Sequence, residues 1–203
     1  MIRPILFALA TLTTGCAFVP FTDTDAATVS QVRAPRPLLL QTDQGQTCNA
    51  VRLDDQTIAT AAHCVHDQTG ITVFEKGKAL FAPDPLEHPG YEISAPDTAA
   101  RWDLAKLRVP ATDASTGVLA ARPADPAPVE ILALTPEGEL QSVPCGFLGR
   151  SGALVELSCT VNLGWSGAPV VQNGALVGIL SARGQGQTAA IAQMSDATGL
   201  SNF

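Results

Sequence analysis

CNAVRLDDQTIATAAHC, residues 48–64, holds two short runs of apolar and β-branched residues separated by Asp54, Asp55 and Gln56. Runs of this length bounded by turn formers read as strands, here 47–53 and 57–61. The second run ends in Ala61 and Ala62, small residues that let another part of the chain approach closely, and it presents His63 at the strand end. A lone histidine there is structural more often than chemical, so its meaning depends on what the rest of the chain brings to it. Cys48 and Cys64 bracket the stretch.

The same punctuation continues outward. Runs at 37–42, 71–75, 78–82 and 103–109 complete a first set of six predicted strands. AARPADPAP, residues 120–128, is too rich in proline for a central strand and reads as a connector. A second set of six follows at 129–134, 140–147, 153–161, 169–172, 175–182 and 187–194, with Asn173-Gly174 as a hairpin turn. This order predicts an all-β protein of two six-stranded antiparallel β-barrels packed side by side, the first over 36–119 and the second over 129–203. Composition agrees: 17 Gly and 15 Pro against 12 Lys and Arg describe a turn-rich chain. A hydrophobic content of 46% with 15% charged residues excludes disorder. The net charge of -7 lacks the basic footprint that phosphate backbones require, so nucleic acid is not an expected partner.

Residues 1–16, MIRPILFALATLTTGC, carry one arginine, an apolar stretch and then small residues up to Cys16. This is the pattern of an export signal, with 1–15 as the signal peptide and 16–35, rich in Thr, Asp and Ala, as a tether. The apolar stretch is shorter than the roughly 20 residues a membrane span needs. The segment resembles a bacterial lipoprotein signal, in which small residues precede a cysteine that becomes the acylated amino terminus. That resemblance implies lipidation of Cys16, and Ala17 after it implies the outer membrane, facing the periplasm. The sequence departs from the pattern in placing Leu12 four residues before the cysteine rather than three, and ordinary cleavage after Ala17 is the other reading. Either removes Cys16 from disulfide pairing, and Cys48, Cys64, Cys145 and Cys159 remain as an even set in an oxidising compartment. Four cysteines allow three pairings, of which proximity favours Cys48 with Cys64 and Cys145 with Cys159. A metal set of Cys48, His63, Cys64 and His66 is the competing reading. Neighbouring residues of an extended segment face opposite ways, so neither a metal nor a cofactor is expected.

Two further places can carry chemistry. Asp103 stands at the start of the apolar run 103–109, and Ser166 sits in GWSGAP, residues 164–169, a glycine turn ahead of a strand. Glycines can aim the backbone amides of Gly164 and Ser166 into one hollow, where a developing oxyanion would be stabilised. A serine hydroxyl needs a base to become nucleophilic, and an imidazole needs a partner that fixes its tautomer.

Together these segments resemble the chymotrypsin-like (trypsin-like) serine peptidases, and the resemblance spans residues 36–194. TAAHC (60–64) ends the block 48–64 as that family's histidine block ends, HPGY (88–91) resembles the segment ahead of its catalytic aspartate, DLAKL (103–107) resembles the strand that carries it, and GWSGAP resembles the nucleophile loop. The resemblance implies a serine endopeptidase working through an acyl-enzyme on protein or peptide substrates. His63 would be the general base, Asp103 its orienter, Ser166 the nucleophile, and the amides of Gly164 and Ser166 the oxyanion hole. Ser181 would stand beside the aspartate and open the strand that binds substrate backbone. Thr160 and Arg183 would belong to the substrate pocket, the arginine able to pair with an acidic side chain.

The sequence also departs from the family. Trp165 stands where many members carry the aspartate that receives a newly cleaved amino terminus, which implies folding to a competent form without propeptide removal. The second cysteine pair lies outside the family's usual late pairs and would brace the hairpin feeding the nucleophile loop. A non-catalytic envelope binding module retaining the fold is the alternative function, because fold alone does not guarantee activity. The sequence implies no oligomeric state.

Overall fold

The structure, a computed structural model, describes residues 34–111, 120–183 and 192–203. Its first elements are β1 (Pro37–Thr42) and β2 (Thr47–Arg52), an antiparallel pair in which Leu40 lies opposite Cys48 and Leu38 opposite Ala50. A tight turn joins them, closed by a hydrogen bond from the Gly45 N–H to the Thr42 carbonyl, 3.0 Å. After β2, the Asp54 carboxylate accepts the Gln56 and Thr57 amides at 2.9 and 2.7 Å, reversing the chain into β3 (Thr57–Thr60). A short 3-10 turn, Ala62–Cys64, follows. β4 (Ile71–Glu75) and β5 (Lys78–Ala82) form a hairpin, and the three-residue β6 (Pro85–Glu87) precedes the short helix α1 (Pro96–Arg101) and β7 (Ala105–Arg108).

These strands make one sheet in the order β5-β4-β1-β2-β3-β7-β6. The expected all-β class holds, and the first strand set takes the form of a curled half-barrel sheet of seven strands rather than six. The unforeseen strand is β6, too short to show a period of two. It begins at Pro85, which offers no N–H to a ladder, so it forms an edge and does not close onto β5. The predicted run 103–109 is also shorter than expected, since the chain bends at Trp102, and Asp103 and Leu104 precede the ladder that begins with β7.

The remaining strands are β8 (Val129–Leu134), β9 (Leu140–Ser151), β10 (Leu154–Ser158), β11 (Pro169–Gln172), β12 (Ala175–Arg183) and β13 (Ala192–Asp196). They close in the order β10-β13-β12-β11-β8-β9, the expected six-stranded antiparallel barrel. Part of the predicted run 187–194 lies outside the described residues.

Alternation decides which side chains are buried. In β8, Val129, Ile131 and Ala133 point inward and Glu130 outward. Leu40, Ile58, Ile71, Val73 and Leu107 form the first core, and Ile131, Val155, Leu157, Val170 and Met194 the second. β12 serves both, giving Leu176 and Ile179 to the first and Val177 and Leu180 to the second. A closing 3-10 turn, Ala197–Asn202, returns Ala197 and Leu200 to the first core. Among the described residues no helix is long and apolar enough to cross a membrane.

Full burial of Leu107 means that truncation leaves a cavity: Leu107→Ala should cost about 2–5 kcal/mol in urea unfolding. Leu86→Ala, at a side chain 55% exposed on the edge strand, should stay within about 0.5 kcal/mol of the parent protein.

Candidate active site

β3 delivers His63 through a turn made of residues with almost no side chain. Ala61 and Ala62 are fully buried, and the Cys48–Cys64 disulfide ties the turn to the start of β2. From the other side, α1 ends and Trp102 stacks flat on His88, ring centroids 4.5 Å apart. Burial holds the His88 ring below the ordinary histidine pKa. The bend after Trp102 points Asp103 inward, where only 3% of it is exposed.

The Asp103 carboxylate collects three hydrogen bonds. The His63 backbone N–H donates to Oδ1 at 2.8 Å, His63 Nδ1 lies 2.6 Å from Oδ2, and the Ser181 hydroxyl donates to Oδ2 at 2.5 Å. A carboxylate only accepts, so Nδ1 carries the proton and Nε2 is the acceptor of the neutral ring. Burial of the imidazole pulls its pKa down, but the hydrogen bond and the negative charge of Asp103 outweigh it and hold His63 above 6.5.

The loop between β10 and β11 carries Ser166. Trp165 N–H donates to the Asn162 carbonyl at 3.3 Å and Ala168 N–H to the Trp165 carbonyl at 2.9 Å, which curls the loop tightly. Gly167 adopts φ +84°, and a Cβ there would fall 2.0 Å from the Asn49 carbonyl oxygen and 2.4 Å from Thr60 Oγ1. Only glycine meets both demands. The Trp165 indole is buried in the second core, away from the cleft.

Ser166 and His63 line a common cleft of about 370 Å³ with Asp103, Ser181, Gly164, Tyr91, Ala99, Ala100, Asn162 and Leu163. The Tyr91 hydroxyl is pushed up to about 12, first by burial and then by the charges of Asp103 and Glu87, so it stays neutral. Ser166 Oγ donates to the Ser181 carbonyl at 3.3 Å, and among the described residues no hydrogen bond joins it to His63. The amides of Gly164 and Ser166 likewise find no acceptor among the described residues. The site thus offers an oriented imidazole, a hydroxyl on the same cleft, and two uncommitted N–H groups beside it.

The structure does not bring every sequence candidate here. Thr160 is exposed and absent from the cleft lining, where Asn162 and Leu163 stand instead. The Arg183 side chain and Cys16 lie outside the described residues. Cys145 and Cys159 form a disulfide joining β9 to the segment that runs into the serine loop. His66 pairs with Glu87 at 3.1 Å. Cys48 and Cys64 lie close to His63, but their sulfurs are spent in the disulfide and offer no thiolate.

One residue to which the sequence reading assigned no role is Asn49. It is fully buried, and its backbone N–H donates to the Ser166 carbonyl at 2.7 Å while its side-chain amide donates to the Gly164 carbonyl at 2.9 Å. The available signal was a primary amide between Cys48 and Ala50 in an apolar strand, where a buried polar group must find partners.

A family model described as a trypsin-like peptidase domain matches residues 47–179. Among solved structures, the active form of the Rv3671c protease from M. tuberculosis is similar to this chain at 19% identity and a TM-score of 0.64, covering 96% of this chain and 92% of that one. A scabies mite inactivated protease paralogue, S-I1, is similar at 18% identity and a TM-score of 0.65, covering 83% and 92%. A serine protease of human pathogenic astrovirus is similar at 17% identity and a TM-score of 0.63, covering 81% and 91%. No curated protein sequence matches.

Because the space at Gly167 is closed by backbone, Gly167→Ala should lower stability by at least about 2 kcal/mol in thermal unfolding. Gly149→Ala, where nothing lies within 4 Å of the added carbon, should change it by less than about 1 kcal/mol.

Proposed function

This chain belongs to the trypsin-like peptidase family, and from that premise we propose that it is a serine endopeptidase cleaving protein or peptide substrates through an acyl-enzyme. The observation that carries the reading is the Asp103 carboxylate, 2.6 Å from His63 Nδ1 and shared with Ser181, behind a ring that opens on the same cleft as Ser166. In this reading the Ser166 hydroxyl leaves the Ser181 carbonyl and engages the ring when substrate binds. His63 Nε2 then takes the hydroxyl proton as Oγ attacks the substrate carbonyl. The Gly164 and Ser166 amides receive the oxyanion, and Asp103 stabilises the imidazolium formed. The same imidazolium protonates the leaving amine, and water, deprotonated by His63, releases the acyl group.

The proposal includes export and acylation at Cys16 in the outer membrane, resting on the run of small residues that ends in that cysteine. Mass spectrometry of the mature amino terminus tests this part by itself. The second reading, a binding module without catalysis, is favoured by one observation: Ser166 Oγ is engaged with the Ser181 carbonyl rather than with His63.

A fluorophosphonate probe separates the two readings. Ser166 should be labelled, and Ser166→Ala should lose both labelling and roughly 10^4-fold or more of any hydrolysis; a wild-type protein inert to the probe supports the binding module. The proton balance gives a further expectation. Only the neutral ring accepts a proton, so activity should rise with pH through an inflection above 6.5. The charged ring is the form the fold stabilises, so the His63–Asp103 contribution to stability is full below 6.5 and declines as pH rises through the higher folded value. NMR titration of His63 in the Ser166→Ala protein should give a midpoint above 6.5, moving down in Asp103→Asn.

A further inference from the structure

We propose that Asn49 is a positioning residue that holds the serine loop in the shape in which the Gly164 amide can meet an oxyanion, an inference that rests on the peptidase reading above. The Asn49 side chain commits both of its N–H donors and its carbonyl oxygen to two places. Nδ2 donates to the Gly164 carbonyl at 2.9 Å and to the Leu134 carbonyl at 3.0 Å, and Oδ1 accepts the Leu134 N–H at 2.6 Å. Its own carbonyl is fixed by the Thr60 hydroxyl at 2.7 Å. A primary amide satisfies all three side-chain partners. A carboxylate would set negative charge against two carbonyl oxygens, and an apolar residue would orphan them.

The loop's peptide planes explain why this hold matters. The 165–166 peptide, which carries the Ser166 amide, is fixed through its carbonyl by Ala168 N–H, and the 166–167 peptide is fixed at both ends by Asn49 and Leu180. The 163–164 peptide, which carries the Gly164 amide, has no hydrogen bond at either end among the described residues. Gly164 sits at φ +83° without a Cβ to resist rotation, so where this plane points depends on how its neighbours are held. The next plane along, 164–165, is pinned at its carbonyl by Asn49 and at its N–H by Asn162. Holding that plane fixes the Gly164 Cα, one of the two pivots that place the 163–164 peptide and its amide. Trp165 anchors the loop in the second core, and Asn49 is the tether from the first sheet.

The test compares full-length wild type with Asn49→Ala and Asn49→Asp, the latter keeping the volume and the acceptor for Leu134 but losing the donor to Gly164. Each is assayed well below its own unfolding transition for fluorophosphonate reaction at Ser166 and for p-nitrophenyl acetate hydrolysis. Loss of a usable oxyanion donor should lower the probe rate constant and kcat by about 10-fold to 100-fold per folded molecule, with KM changed little. A merely structural role would lower the unfolding temperature and leave these rates per folded molecule unchanged. If Asn49→Ala does not fold, Asn49→Asp gives the answer. Wild-type protein unreactive at Ser166 overturns both this inference and the peptidase reading; reactive wild type with equally reactive variants overturns this inference alone.

Discussion

A buried carboxylate is costly unless its oxygens find hydrogen-bond donors, and Asp103 is almost wholly enclosed. Its donors come from separate parts of the chain: the turn after β3 gives the His63 backbone and ring, and β12 gives the Ser181 hydroxyl. Satisfying the buried Asp103 carboxylate therefore requires that the turn of the first sheet and a central strand of the barrel meet at one point. The division of β12 between both hydrophobic cores is the packing counterpart of that meeting. The orientation of the imidazole is a consequence of how an anion is accommodated, not a separate contrivance.

Close approach on the serine side follows from what is absent. The glycine after Ser166 leaves space that the Asn49 carbonyl oxygen and the Thr60 hydroxyl occupy, so the loop lies directly on β2 and β3. Polar backbone groups brought together in this way must be paired, and the pairing falls to Asn49 on one side. On the other side the large apolar Trp165 is drawn into the second core and kept out of the cleft. The amides left unpaired are those of Gly164 and Ser166, next to the hydroxyl.

Legibility tracked local pattern. β1, β4, β5, β8 and β11 were readable residue for residue, because alternation and flanking turn formers are properties of the segment itself. β6 is not legible because three residues cannot show a period, and α1 because six residues beginning at a proline resemble a loop. Ser166 and His63 stood out by residue type in a setting of small neighbours. Position in a motif puts Thr160 near substrate, whereas in the structure it is exposed and Asn162 and Leu163 line the cleft. Asn49 escaped because its importance lies in partners far away along the chain, Leu134 and Gly164.

The sequence by itself determined the all-β class, the separation into two strand sets, and the residue types available for proton transfer and nucleophilic attack, since each is written in composition, periodicity or local motif. Tertiary structure alone decided that the first sheet stays open, that Asp103 is shared by His63 and Ser181, and that Asn49 rather than an ion pair tethers the serine loop. The reason is physical: whether a buried polar group is satisfied depends on donors and acceptors that chain order does not bring together, and only packing fixes the distance between them.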